Sequence, residues 1–392
     1  MNQLLTQTEN TQESISFIFD NVSETDWKYI EQSLDLADAK AALYLNNNLY
    51  NALDWPLCRE DYIIYLKKYQ KWIPQQTSNE KWNLSDSFDC HEANDRLCHF
   101  YFLIDQQTEI GSLREKIPWF TEFLINFTES WGKFLNTKES ISKKILASFL
   151  KNSIHPSKAD VFIESELELP WNSFNHYYAW EMNPLLRPID DQDNNLIITA
   201  PTDCTFKKTY KIDNNSFIDE ISFKQTHQFS NIKNFLKGSK YADSFTNGTC
   251  IHYKLGPYSY HHFHSPVSGL VKESYPVYGL RYKDIGIDDS GQFYKTENIS
   301  KGYQFSQARG ILILDTRNSP NGDMGLVAVV PVGMCQIASV HLLATPDTVL
   351  EKGEEFGYFK FGGSDVVLIF QEGKAPKIDE STHKRFYGSS IS

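Results

Sequence analysis

Two periodicities divide this chain. From Trp55 to about Leu150 the apolar residues return every third or fourth position. Tyr62, Tyr65, Leu66, Tyr69, Trp72 and Ile73 fall on one helical face until Pro74 stops the pattern. Phe120, Phe123, Leu124, Phe127, Trp131, Phe134 and Leu135 make a second stripe, which Ile141, Ile145, Leu146, Phe149 and Leu150 continue. From about Leu196 the pattern changes to short β-prone runs between turn residues: NLIITAP, TCIHYKL, FHSPVSGLVKESY, GILILDT, GLVAVVPVGMCQIASVHL and GYFKFGGSDVVLIF. Val267 to Leu270 reads as a turn inside a hairpin, and Asn321-Gly322-Asp323 as another turn. The tail after Gln371 is polar and reads as loose. The spacing predicts an α+β protein. An α-helical domain over 1–155 precedes a β-rich domain of antiparallel or mixed sheet over 156–392, and the mixed stretch from Pro170 to Pro188 links them.

Length agrees with two domains, since the chain has 392 residues. A formal net charge of -12 argues against nucleic acid, whose phosphates demand a basic surface, and against tight adhesion to anionic lipid. The N-terminal MNQLLTQTENTQES has no charged region followed by an apolar one, so no secretory signal is expected. The longest apolar run, Met324 to Cys335, contains a proline and falls well short of the ~20 residues of a spanning helix. A cytoplasmic chain with no transmembrane segment is expected, an encounter with lipid at the membrane periphery staying open. The 6 cysteines are scattered, as buried reduced thiols would be. Cys90-His91 and Cys98-His99 are too far apart for the C-x₂₋₄-C pairs that zinc prefers, so no metal is expected.

The candidate chemistry lies in the β-rich half. Phe-Lys-Phe and Val-Val-Leu-Ile-Phe read as one strand, yet Gly362-Gly363-Ser364 interrupts it and Asp365 follows at once. Glycine weakens a strand interior unless a bulge, bend or close approach is needed there. Tyr260-His261-His262-Phe263-His264 holds three of the 11 histidines. Strand alternation puts His262 and His264 on one face and His261 on the other. Histidine is the natural proton shuttle near neutral pH. Asp203, in APTDC at the end of an apolar run, is either a turn aspartate or a third member. Asp, His and Ser in that order suggest a serine hydrolase. Against that, GGSD lacks the G-x-S-x-G elbow, and no helix pattern follows it.

Several stretches, in order, resemble the phosphatidylserine decarboxylase family of pyruvoyl enzymes. FKFGGSDVVLIF resembles its processing site and FTNGTCIHYKLGPYSYHHFHSPVSG its histidine segment. SFNHYYAWEMNPLLRPID with APTDC resembles the entry to its catalytic domain, and NGDMGLVAVVPVGMCQIASV its internal strand pair. The helical part is similar to the extra N-terminal domain of a soluble branch that includes tryptophan decarboxylases. The resemblance implies a self-cut between Gly363 and Ser364. It leaves a β chain (1–363) bound to an α chain (364–392) whose first residue becomes a covalent pyruvoyl group. It further implies that Ser364 attacks the Gly363 carbonyl, that His264 is the base, and that Asp203 orients it. His261 would handle protons during turnover. Three positions depart from the family pattern: Asp365 replaces a small hydroxyl residue, Cys204 a glycine and Trp180 a basic residue.

The substrate implied is an amino acid, either the headgroup of phosphatidylserine, giving phosphatidylethanolamine, or a free aromatic amino acid such as tryptophan. An unprocessed binding module is a third reading, kept open by Asp365 and Cys204.

Overall fold

The computed structural model describes residues 19–76, 82, 92–150, 171–218, 231–256, 259–279, 285–295, 307–333 and 340–392. The chain divides into two compact units, Met1–Phe174 with Tyr282–Glu297 and Asn175–Arg281 with Asn298–Ser392. Helices dominate the first and antiparallel sheets the second, the α+β class that the two periodicities predict.

In the helical unit, Arg59–Tyr69 buries Tyr62, Tyr65, Leu66 and Tyr69 and ends ahead of Trp72 and Ile73. The helix cannot run on to Pro74, whose ring disfavours helical backbone in the residue before it. The helix Pro118–Phe134 opens on a proline, whose missing N–H is no loss in a first turn. It buries the Phe120 stripe against Tyr69 and Phe100, with Phe100 and Phe127 stacked at 5.5 Å. Ile145, Leu146 and Phe149 of helix Lys143–Leu150 are likewise buried.

The strands are β1 (Cys204–Lys211), β2 (Thr249–Lys254), β3 (His262–His264), β4 (Gly269–Val277), β5 (Ile285–Ile287), β6 (Phe293–Lys295) and β7 (Arg309–Asp315). They continue as β8 (Leu326–Gly333), β9 (Val340–Leu342), β10 (Val349–Leu350), β11 (Glu355–Phe359), β12 (Gly363–Phe370) and β13 (Lys384–Arg385). β5 and β6 pair as a hairpin that belongs to the helical unit, where Phe293 meets Phe102 at 5.3 Å. The rest of the strands form an eight-stranded sheet in the order β10-β4-β7-β8-β12-β2-β1-β13 and a three-stranded sheet in the order β3-β11-β9. Alternation along each strand makes the core. Ile251, Tyr253, Leu312, Leu314, Val327, Val329, Val366 and Leu368 of the large sheet meet Phe263, Phe356 and Phe359 of the small one.

Four expectations change. GYFKFGGSDVVLIF is two strands rather than one: β11 lies in the small sheet and β12 in the large one, and the chain crosses between them at Gly362. Its φ of +103 is the left-handed region that glycine tolerates. Val267 to Leu270 joins β3 and β4 across different sheets, so it is a crossover and not a hairpin turn. NLIITAP forms only an isolated bridge, Thr199 to Ser390. Its backbone groups bond to the tail, with Ala200 N–H donating to the Ser389 carbonyl and Ile391 N–H to that of Ile198. The strand is instead CTFKKTYK, whose lysines mask it because its outer positions are solvated. The tail is consequently anchored, with Tyr387 and Ile391 buried and β13 paired to β1. Asn321-Gly322-Asp323 does join the adjacent antiparallel strands β7 and β8, with Gly322 at φ +119.

Candidate active site

The switch from β11 to β12 places Ser364 at the second position of β12. Against β8, Gly363 faces Gly333 and Asp365 faces Val332, so Ser364 is the extra residue of a bulge. A bulge re-aims one residue at a strand end and loosens the ladder there. Gly362 and Gly363 therefore serve a turn and a bulge that together bend the backbone at 362–364.

β3 brings the histidines to the same sheet as β11. Phe263 points into the core, which leaves His262 and His264 on the other face, while His261 precedes the strand. His261 is fully buried and stacks on Tyr178 at 3.9 Å; its carbonyl accepts the Phe359 N–H. Tyr178 also meets Phe361 edge-on at 5.1 Å, and the Asn175 side chain accepts the Phe361 N–H at 3.2 Å. The segment Phe174–Tyr178 thus supports both His261 and the turn leading to Ser364.

His264 has both ring nitrogens engaged. A carbonyl can only accept, so Nδ1 carries the hydrogen and donates to Gly353 at 2.9 Å. Nε2 then accepts from the Tyr260 hydroxyl at 3.0 Å. Burial penalises the imidazolium and lowers His264 to about 4, and it pushes the Tyr260 hydroxyl up, keeping it a donor. His264 is consequently a neutral imidazole of fixed tautomer whose basic nitrogen is Nε2.

Asp203 is buried just ahead of β1. Its carboxylate accepts the Tyr387 N–H at 2.9 Å and pairs with Arg187 at 3.3 Å. The His264 ring bonds elsewhere, so the structure brings the two residues together through Tyr387, whose ring stacks on His264 at 4.0 Å. The pairing of Cys204 with Arg385 carries Tyr387 there. The third histidine differs from its neighbour. Burial alone would lower His262, but its bonds to the Glu355 carboxylate at 2.8 Å and the Ala179 carbonyl at 2.9 Å outweigh it and leave it raised. Tyr260 stacks on His262 and stands edge-on to Trp180, whose indole is buried.

Sequence reasoning missed Tyr260, Gly353, Arg187 and Tyr387. Tyr260 stood inside the quoted histidine segment, and Tyr387 was the buried aromatic in a tail read as loose. Cys204 is a free thiol that burial pushes up, and it packs in the core. Cys98 and His99 are buried in the helix Glu92–Ile104, with Cys90 and His91 outside the described residues.

A family model of phosphatidylserine decarboxylase matches residues 174–391. The chain belongs to the phosphatidylserine decarboxylase family. It is 28% identical over 255 residues to phosphatidylserine decarboxylase proenzyme 2 of Oryza sativa subsp. japonica, covering 64% of this chain and 37% of that protein. With the phosphatidylserine decarboxylase proenzyme of Clostridium perfringens it shares 29% over 247 residues, 63% of this chain and 75% of that one. Decarboxylase iboD of Amanita muscaria is 24% identical over 278 residues, 64% of this chain and 77% of that protein. The matched part thus spans about a third of the rice relative and three quarters of the clostridial one. The family match begins at the entry to the β-rich unit and takes in the Asp203, His264 and Ser364 positions.

Proposed function

We propose that the chain is the precursor of a pyruvoyl-dependent decarboxylase. It cuts itself between Gly363 and Ser364, and the mature enzyme converts phosphatidylserine to phosphatidylethanolamine. The observation that carries this is the bend at Gly362 and the bulge at Ser364, joined by β11 to the histidine strand. A peptide carbonyl is attacked only where the backbone bends into reach, and position 364 is a serine in such a bend. The residues present therefore fit the group that the family implies.

The Ser364 hydroxyl attacks the Gly363 carbonyl carbon, the C–N bond breaks, and an ester replaces the amide. Loss of the α-proton of residue 364 expels Gly363 as a carboxylate and leaves a dehydroalanine. Water then replaces the nitrogen, which departs as ammonia, and a pyruvoyl terminus remains. A serine hydroxyl is a weak nucleophile near neutral pH and needs a base. His264 is the base, for it stays neutral, and its Nδ1–H bond to Gly353 sets the tautomer that leaves Nε2 basic. Tyr260 shares that nitrogen and yields it as the serine approaches. Asp203 positions His264 through Tyr387 and keeps Arg187 in place. In the mature enzyme the pyruvoyl group supplies an electron sink for the bond to carbon dioxide. His261, held by Tyr178, returns the proton to the product.

The relatives whose names state a substrate name phosphatidylserine, which supports that lipid over a free aromatic amino acid. Among the described residues no helix is long and apolar enough to cross a membrane. We place the reaction on the cytoplasmic side, with lipid met at the membrane periphery. Intact mass under denaturing conditions tests the reading: chains of 1–363 and 364–392 are expected, the smaller with a carbonyl in place of its amine, and Ser364→Ala stays whole. A single uncut wild-type chain from folded protein refutes it.

A further inference from the structure

His252 and Asp365 are buried hydrogen-bonded partners, Asp365 being the residue after Ser364, that this chemistry leaves unused. His252 lies on β2 and Asp365 on β12, with Nε2 and Oδ2 3.0 Å apart and side chains 3% and 1% exposed. In the register of the two strands Asp365 faces Lys254 and Val367 faces His252, so the hydrogen bond runs diagonally along one face of the sheet. A carboxylate accepts, so Nε2 carries the hydrogen. The bond lies in a dry interior, where losing a hydrogen bond is costly.

We propose that His252 and Asp365 form a clamp between the two product chains, which holds residue 365 in the sheet after the cut and thereby positions the carbonyl made at 364. The proposal rests on the self-processing reading above. In the precursor, residue 365 is held by covalent chain on both sides. Cutting at 363–364 turns β12 into a strand with a free end inside an eight-stranded sheet. The pairing of Gly363 with Gly333 stays with the β chain. Asp365 is then the first α-chain residue paired to both neighbours, Val332 on β8 and Lys254 on β2. Strand ends fray, and the keto carbon, formerly the Cα of residue 364, would be joined to the Asp365 nitrogen through a single amide carbonyl, so fraying there displaces the reaction centre. His252 belongs to the β chain, and its bond adds a side-chain tie across the two product chains. These are positioning residues. Their effect depends on the cut, which distinguishes a clamp from ordinary packing.

Hydrogen exchange of the amides from Asp365 to Leu368 tests this, with cleavage checked by mass first. In the cut enzyme His252→Leu is expected to speed their exchange ~10-fold or more, while the same change in uncut Ser364→Ala protein moves it under ~3-fold. His252→Gln is expected to restore protection, because its side-chain amide can donate to the same carboxylate. Decarboxylation of phosphatidylserine in detergent micelles by His252→Leu is expected to lose ~10-fold in kcat with KM within ~2-fold. Should His252→Leu not fold, Asp365→Thr breaks the same bond and is read the same way. Equal exchange in cut wild type and the breaking variant overturns the clamp, as does an equal rise in cut and uncut backgrounds. An uncut wild type removes the self-processing reading and the clamp with it, and mass shows this before any exchange is measured.

Discussion

Each unit buries a histidine against a tyrosine hydroxyl, and only one of them is a candidate for chemistry. In the helical unit His99 meets Tyr65 through Nδ1 at 3.2 Å, with Trp55 edge-on at 4.6 Å. Burial, then the nearby Arg96, lowers it to about 3. In the β unit His264 meets Tyr260, and burial lowers it to about 4. Burial and weak basicity are thus common to both. What separates them is the rest of the surroundings. His264 has its tautomer set by Gly353 and a ring face on Tyr387, which bonds to Asp203. Among the described residues, the Nε2 of His99 has no hydrogen-bond partner. A low basicity marks a site only where oriented partners give the free nitrogen a task.

Replacing both histidines breaks or sharpens that comparison most strongly. His264→Ala is expected to slow self-cleavage by about 10²–10⁴-fold, the usual worth of a general base, with precursor accumulating on a gel. His99→Ala is expected to leave cleavage within ~2-fold and to lower the unfolding free energy by roughly 1–3 kcal/mol, through the cavity and the orphaned Tyr65 hydroxyl. Equal cleavage by both variants would remove His264 from the site.

Asp203→Asn has a smaller expected effect. In a triad where the acid sets the imidazole tautomer, this change costs about 10⁴-fold. Here Gly353 sets the tautomer, and asparagine still accepts the Tyr387 N–H while losing the Arg187 pairing. A loss of only about 10-fold is expected, well short of that ~10⁴-fold. Pulse–chase of the newly made precursor measures it, and a loss near the triad figure would put Asp203 on the His264 ring during the reaction.

The contrast also explains what could be read from the chain itself. The aromatic stripes of Arg59–Tyr69 and Pro118–Phe134 were legible because a helix buries one face and the period survives in the sequence. The β runs were legible where both strand faces are buried, as in β7 and β8. β1 was not, because an edge-side strand with solvated lysines looks like a loop. Position Ser364 and the histidine segment stood out through their unusual local composition. Tyr387 and Arg187 did not, since their roles come from pairing across long sequence separations, which no local pattern records. Sheet membership was equally hidden: a single β-prone run reads the same whether its halves share a sheet or, as at Gly362, change sheets.

The pH dependence gives the smallest expected effect and reaches both histidines. A base works when neutral, and burial keeps His264 neutral down to about 4 rather than the usual ~6.5. Cleavage is therefore expected to stay flat from pH 8 down through 6.5 and to fall only on approach to about 4. The same shift acts on stability. Between the two values the unfolded chain takes a proton at this histidine and the folded one does not, so stability is whole above ~6.5 and is lost as pH falls towards about 4. The loss is on the order of 3 kcal/mol, and His99 extends the same trend in the helical unit to about 3. His262 runs oppositely: being raised, its contribution is complete below the unfolded value and fades as pH rises through the folded one. Precursor made by cell-free synthesis and shifted into buffers between pH 6 and 8 separates the cases, because most of the acid loss of the fold falls below that window. A cleavage rate that halves near ~6.5 would mean that His264 behaves as a solvated histidine in the precursor. Burial would then distinguish His99 from His264 after all, and the oriented partners would form only once the chain is cut.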